Sequence, residues 1–293
     1  MNNYRFKTGE DILDLCQKYN MSIGELALNR EVQISQTSKE DVYNQMELTY
    51  EVMKASAEAG VNTSKDSMGK LIGHSGKKMY QYSQGGSSIT SSFLSKAIAY
   101  SLAITEENAR MGKIVACPTA GASGVMPAIL VALQEEKNIK EEQIINALFT
   151  GSAIGLVIAT FASVSGAEGG CQAEVGSASA MAAAAIVEVM GGIPDQSINA
   201  AAMAIKNLLG LVCDPVAGLV EVPCSKRNAG GVGNAVVAAE MALAGVPSFI
   251  PFDEVVVAMG KVGRSIPSSL RETSEGGLAV TKTAKEFVKN RES

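Results

Sequence analysis

The chain has no Trp, its aromatic residues make up 5% of 293, and it carries a single His, His74. Chemistry resting on a cluster of imidazoles is therefore excluded, and an apolar fraction of 46% must come mostly from Ala, Val, Ile, Leu and Met. Positive charge is not in excess either. Lys and Arg number 25 against 30 Asp and Glu, so the basic footprint of a nucleic-acid binder is missing. The low hydrophobicity and high net charge of a disordered chain are equally absent. The first residues, MNNYRFKTGEDILDLC, place acidic groups where a secretory signal needs an apolar core, which makes the cytoplasm the expected compartment. Thiols stay reduced there, and five Cys is an odd number, so a disulfide framework is not expected.

What the chain does have is 29 Gly, 13 Met and Ala-rich runs such as Met181–Ala185, a composition suited to closely approaching helices. A chain of this size buries roughly 75% of its unfolded surface, so core volume is not limiting. Thr8, Ser22 and Ser38 each precede an acidic residue by three (Asp11, Glu25, Asp41), which predicts helices near 9–19, 23–31 and 39–59, with Gly60 stopping the third. Residues 61–92 shift to Gly, Ser, Lys and Asn and read as loop-rich. Beyond them, helices are expected near 93–104, from about 125, and near 141–163, 174–190, 196–210, 232–244, 252–262 and 277–290. Strand signals are thin, because Gly and Ala displace β-branched alternation. The expectation is one continuous all-α domain, with 1–60 as an N-terminal helical subregion and 61–293 as the part that carries the site. Residues 143–167 hold no charge and are long enough to span a bilayer, but their Gly, Thr and Ser content and the lack of flanking Lys or Arg favour a buried core helix over a membrane one.

Three Cys stand at edges marked by Gly or Pro: Cys171 after Gly169-Gly170, Cys213 before Asp214-Pro215, and Cys224 after Pro223. Their spacing matches neither a zinc ribbon nor a ferredoxin run. Three thiolates without nearby His suit an iron-sulfur cluster with one iron left open as a Lewis acid; buried core thiols are the plain alternative. Cys16 and Cys117 read as structural. The segment Pro118–Gly124 brings Thr119, Gly121 and Ser123 into a small-residue turn that suits a carboxylate or phosphate, or a tight turn between helices. His74, in Gly73-His74-Ser75-Gly76, is a proton-transfer candidate or an incidental loop His. Arg264 and Arg271 are carboxylate forks or helix-end salt-bridge partners.

The stretches MGKIVACPTAGASGVMPA, SGAEGGCQAEVGSASAMAAAA, NLLGLVCDPVAGLVEVPCSKRNA and IPFDEVVVAMGKVGRSIPSSLRET strongly resemble the alpha chain, or catalytic domain, of the iron-sulfur-dependent bacterial L-serine dehydratases. The likeness covers roughly Met68 to Thr283. It implies a helical catalytic domain packed around a 4Fe-4S cluster, with Cys171, Cys213 and Cys224 as ligands and a fourth iron free to take L-serine. The reaction so implied removes water from L-serine without pyridoxal phosphate; the aminoacrylate formed tautomerises and is hydrolysed to pyruvate and ammonia. The resemblance also implies a separate beta chain bearing a His segment near the site, and a higher oligomer. A related cluster-dependent L-cysteine desulfidase-like lyase and a non-catalytic iron-sulfur redox sensor are the competing readings.

Overall fold

The computed structural model describes residues 3–86 and 88–292. Among these residues there are thirteen α-helices and no strand: α1 (Gly9–Tyr19), α2 (Ile23–Ser35), α3 (Lys39–Asn62), α4 (Ser75–Gln84), α5 (Ser92–Ala109), α6 (Met126–Lys137), α7 (Glu141–Phe161), α8 (Gly166–Gly169), α9 (Ser177–Val189), α10 (Pro194–Leu208), α11 (Cys224–Leu243), α12 (Phe252–Ser265) and α13 (Lys282–Glu292). The expected all-α class is the one found.

The first three helices start where their caps predict. Thr8 and Asp11 form a reciprocal capping box on α1, Ser22 and Glu25 form another on α2, and the Ser38 side chain accepts from the Asp41 N–H on α3. Each satisfies N–H groups that a helix start leaves without partners. Gly60 does not end α3. The helix runs on to Asn62, and Gly60 lies inside it because α5 passes so close that an added Cβ would stand 2.4 Å from the Ala103 carbonyl oxygen.

The core is built from α7, α9, α10 and α11. Every residue of α9 except Glu188 is buried, and the helix packs against α7, α10 and α11. A helix apolar on all sides belongs at the centre of a protein, and the Ala run on α9 is what lets three neighbours approach it. The uncharged run expected as a core helix is α7, the one described helix long and apolar enough to cross a membrane; 67% of its most apolar window is buried against the rest of the chain.

Three expected boundaries are corrected. Residues 61–92 are not all loop, because α4 forms inside them. The carboxylate of Glu106 on α5 accepts from the Ser75 and Gly76 N–H groups at 2.7 and 3.3 Å, so the cap comes from a distant residue rather than a local one. The helix expected from 232 begins eight residues earlier, at Cys224. The helix expected over 277–290 splits into a single 3-10 turn at Gly277–Val280 and α13.

Candidate functional site

Three irregular connections meet on one side of the α9–α11 core, and each delivers one thiol. The first runs from α8 through Gly170 and Cys171 into a wide π-helical turn at Gln172–Gly176, which then tightens into α9. Gly170 adopts φ +75°, a left-handed conformation that an L side chain rarely takes, and a Cβ there would also meet the Leu211 carbonyl oxygen at 2.9 Å. This close pass ties the first connection to the second. The Gln172 N–H donates to the Leu211 carbonyl at 2.9 Å, and the buried Gln172 side chain links the Gly210 N–H to the Met259 carbonyl.

The second connection carries Cys213. Its backbone is clamped to the segment after α12: the Cys213 N–H donates to Leu270 and the Glu272 N–H donates back to Cys213, an isolated parallel bridge with Arg271. The third carries Cys224 as the first residue of α11. The turn before it is anchored by buried Glu221, which accepts from the Ser67 hydroxyl and the Gly69 and Leu71 N–H groups.

All three thiols are pushed above their ordinary pKa, chiefly by burial: Cys171 to about 11, Cys224 to about 12, and Cys213 upward as well. They also feel one another. Charge on Cys171 and Cys224 raises Cys213, charge on Cys171 raises Cys224, and Glu174 raises all three, while the Arg227 charge works in the opposite direction on Cys171 and Cys224, helped by backbone N–H groups. The position of Cys224 at a helix start does not overcome burial. Cys117 is raised by burial alone, and Cys16 by burial together with the charges of Glu188 and Glu25; neither feels another thiol.

A gathering of thiols, two buried and one half-buried, with one cation at its edge would suit a group that brings its own positive charge. Among the described residues no three His, Cys, Asp or Glu side chains converge tightly enough to ligate a single ion. A polynuclear iron-sulfur group, which spreads its thiolate ligands over different irons, suits three thiols arranged this way.

Glu174, which the sequence reading did not single out, joins this site to the small-residue turn. The Thr119 hydroxyl donates to its Oε1 at 2.8 Å, and its Oε2 lies 3.9 Å from the Cys213 Sγ. Burial and the charge of Glu272 hold its carboxyl above the usual pKa. The backbone is shaped around this carboxylate, since a Cβ on Gly121 would stand 2.9 Å from Oε1 and one on Gly166 2.7 Å from Oε2. Asn228, fully buried on α11, fixes the turn by donating to the Gly121 and Cys224 carbonyls and accepting from the Gly124 N–H. Ser123 is placed differently from Thr119 and Gly121. Its hydroxyl is completely buried and has no hydrogen-bond partner.

Arg264 and Arg271 come together at a cavity of about 320 Å³ lined also by Glu168, Gly169, Gln172, Ala173 and Met259. Arg271 donates to the Glu168 carbonyl at 3.3 Å, and its Nε is buried without a partner. The partner of His74 is Asp66, 3.3 Å away on the same connection. Asp214, two residues before α11's connection turns, pairs with Arg227 at 2.8 Å and accepts from the Leu278 N–H, drawing the C-terminal segment onto the second connection.

Fold and candidate site together define an all-α protein in which three short connections meet, each bringing one thiol. Residues 18–279 match the family model described as serine dehydratase alpha chain. Over 280 residues the sequence is 50% identical to the L-serine dehydratase, alpha chain, of Peptoniphilus asaccharolyticus, a match that covers 96% of both chains. It is 48% identical over 284 residues to the probable L-serine dehydratase, alpha chain, of Bacillus subtilis (strain 168), covering 97% of this chain and 94% of that one. Against the L-serine dehydratase of Streptomyces coelicolor it is 36% identical over 285 residues, covering 94% of this chain and 61% of that longer one. The chain belongs to the serine dehydratase alpha-chain family, as its four motifs imply.

Proposed function

We propose that this chain is the alpha subunit of a cytoplasmic L-serine dehydratase, a lyase that converts L-serine to pyruvate and ammonia without pyridoxal phosphate, with Cys171, Cys213 and Cys224 holding a 4Fe-4S cluster. The observation that carries the reading is the meeting of two buried thiols and a half-buried third, mutually repelling, beside a turn shaped around Glu174. Identity of 48–50% to two L-serine dehydratase alpha chains over almost the whole length supports the substrate.

When bound, the cluster supplies a Lewis acid that draws charge from the leaving hydroxide, which is otherwise a poor leaving group. The chain's own residues do the rest of the positioning. Thr119 and Glu174 fix the small-residue turn against Cys213, and Asn228 fixes the same turn against Cys224. Arg227 supplies the compensating positive charge beside Cys171 and Cys224, and Arg264 and Arg271 offer guanidinium forks for the substrate carboxylate from the adjoining cavity. His74 remains the only imidazole for proton transfer on this chain, and its Asp66 partner would hold its ring orientation; a second acid-base group comes from a beta chain. The alpha-chain relatives are of this chain's length, whereas the Streptomyces enzyme is much longer, which supports a function divided between two chains. A single continuous domain, with the N-terminal helical subregion joined to the cluster-binding part, is supported by the core that Ile12, Ile23 and Leu26 share with Ile154 and Ala184.

The test is iron and sulfide analysis of the anaerobically purified chain, alone and with its beta partner, alongside pyruvate release from L-serine. Expected are both inorganic elements in the wild type and their loss, with activity, in Cys213→Ser. Active enzyme free of iron overturns the cluster; sulfide from L-cysteine without pyruvate from L-serine overturns the substrate. Replacing Arg264 or Arg271 by Gln is expected to raise KM with kcat nearly unchanged.

A further inference from the structure

Between α5 and the Thr119 turn the chain runs from Lys113 to Ala116 without helix, turn or bend. Its ends are pinned, by the Gly112 N–H on the Glu107 carbonyl and the Cys117 N–H on the Thr119 carbonyl. Between those pins no backbone N–H or C=O is bonded to any other described residue. Four residues in strand conformation would span roughly 13 Å, the length of a short strand. A straight stretch of unpaired backbone is a ready template for another strand, and proteins usually cover or blunt such edges.

Beside this edge lies a groove of about 980 Å³, walled on its other side by α3. Helix α3 has two apolar stripes. Tyr50, Met53, Ala57 and Val61 face the core. Leu48, Val52, Ala55 and Ala59, spaced four, three and four apart, line the groove instead, with Leu48 61% exposed. A single core-facing stripe is enough for a surface helix, so the second one has no partner within the described chain. Ile114 and Val115, half-buried, form the floor opposite. Unpaired backbone on one wall and an apolar stripe with two small residues on the other is the arrangement that receives an extended segment, its backbone pairing with the edge and its side chains entering the groove.

We infer that this groove is the docking site for an extended, apolar segment of the partner chain, which adds a strand along Lys113–Ala116. The inference rests on the reading above that the enzyme is completed by a second chain. Its occupant follows from length and place: nearly two fifths of the Streptomyces enzyme's own length lies outside its match to this chain, and the edge leads within three residues to Thr119, which touches Glu174 beside Cys213. A segment seated here orders the very connection that shapes the thiol site.

The experiment measures binding of the beta chain to the full-length alpha chain by calorimetry, with the wild type, Val115→Pro, Ala55→Glu and the surface control Val237→Glu. Val115→Pro removes one edge donor and Ala55→Glu places a charge in the groove, whereas Val237 is exposed on α11 and is not among the residues that line the groove. Expected is at least a tenfold rise in Kd for the first two and none for the control, with circular dichroism and iron content unchanged in all. Slowed amide exchange at 113–116 on adding the beta chain is the second readout. Wild-type Kd for both groove variants, or exchange slowed only elsewhere, overturns this inference while leaving the two-chain reading intact. If the wild type binds no beta chain and works alone, the two-chain reading falls and takes this inference with it. If Ala55→Glu alters only the self-association of the alpha chain, the occupant is a second copy and the inference is wrong.

Discussion

Glu174 and Glu188 are both largely buried carboxyl groups on the π-turn–α9 stretch, and burial holds both above the usual carboxylate pKa, yet their surroundings differ. Glu188 is enclosed by donors. Its oxygens accept from the Ser22 hydroxyl at 2.9 Å, the Gly24 N–H at 3.2 Å and the Thr150 hydroxyl at 2.6 Å, so one side chain ties α9 to the start of α2 and to α7. Glu174 has one good donor, Thr119, and otherwise faces the Cys213 thiol and a second carboxylate, Glu272. A buried acid surrounded by donors holds a fold together. One surrounded by thiols and another acid is destabilising unless something else occupies the site, which is the position of a functional group.

The sharpest test of this contrast is to remove each carboxylate. Glu174→Ala is expected to lower kcat on the order of 10³-fold, the scale of losing a group that positions a catalytic centre, with little change in unfolding midpoint. Glu174→Gln, which keeps the bond from Thr119, should retain iron better than the Ala variant; equal iron loss in both would show that charge rather than shape is what Glu174 provides. Glu188→Ala should do the reverse. It removes the acceptor shared by the Ser22 and Thr150 hydroxyls and the Gly24 N–H, at a cost of about 3 kcal/mol in denaturant unfolding, with activity per folded molecule unchanged. If Glu188→Ala were as stable as wild type, its donors would have found water, and the contrast between the two acids would collapse.

Glu188 also gives the comparison a pH dependence. Its pKa is raised in the folded state above that of the unfolded chain, so the folded protein binds the proton more tightly. The stability this contributes is fully present below the unfolded value of about 4.3 and is lost as pH rises through the folded one. Glu188→Gln cannot titrate. The stability of wild type relative to Glu188→Gln should therefore be greatest near pH 4 and decline towards neutrality, as read from urea unfolding at several pH values; a difference that grows with pH would reverse the sign and refute the burial argument.

The same contrast explains what could be read from the sequence. Caps made by residues three apart were legible because donor and acceptor are local: Thr8, Ser22 and Ser38 mark α1, α2 and α3 correctly. Helix α4 was missed because its cap, Glu106, lies 31 residues from Ser75. Gly60 misled because its role is to let α5 pass, a tertiary fact that looks like a stop signal in the sequence. The three site cysteines stood out through their Gly and Pro flanks, but their meeting depends on connections pinned by Gln172, Glu221 and the Cys213–Arg271 bridge, none of which has a local signature. Glu174 did leave a trace. It is the one charged residue between Gly169 and Val187, and a lone charge in an otherwise apolar and small-residue run needs a reason.

The smallest effect separates a local cap from a shared one. Thr8→Ala removes the side-chain acceptor of the α1 capping box, a change that costs roughly 0.5–2 kcal/mol in general. At α1 the loss should fall at the low end, because Asp253 on α12 also caps this helix, accepting from the Gly9 N–H at 2.6 Å and the Glu10 N–H at 3.1 Å. Ser22→Ala should cost more, since that hydroxyl both caps α2 and donates to Glu188. The decisive measurement is a double-mutant cycle: Ser22→Ala and Glu188→Ala share a partner and should be non-additive, whereas Thr8→Ala and Glu188→Ala act on separate networks and should add within about 0.5 kcal/mol. Additivity in both pairs would mean that the Ser22 hydroxyl serves only its own helix, and Glu188 would then be a weaker tie between α9 and α2 than its geometry implies.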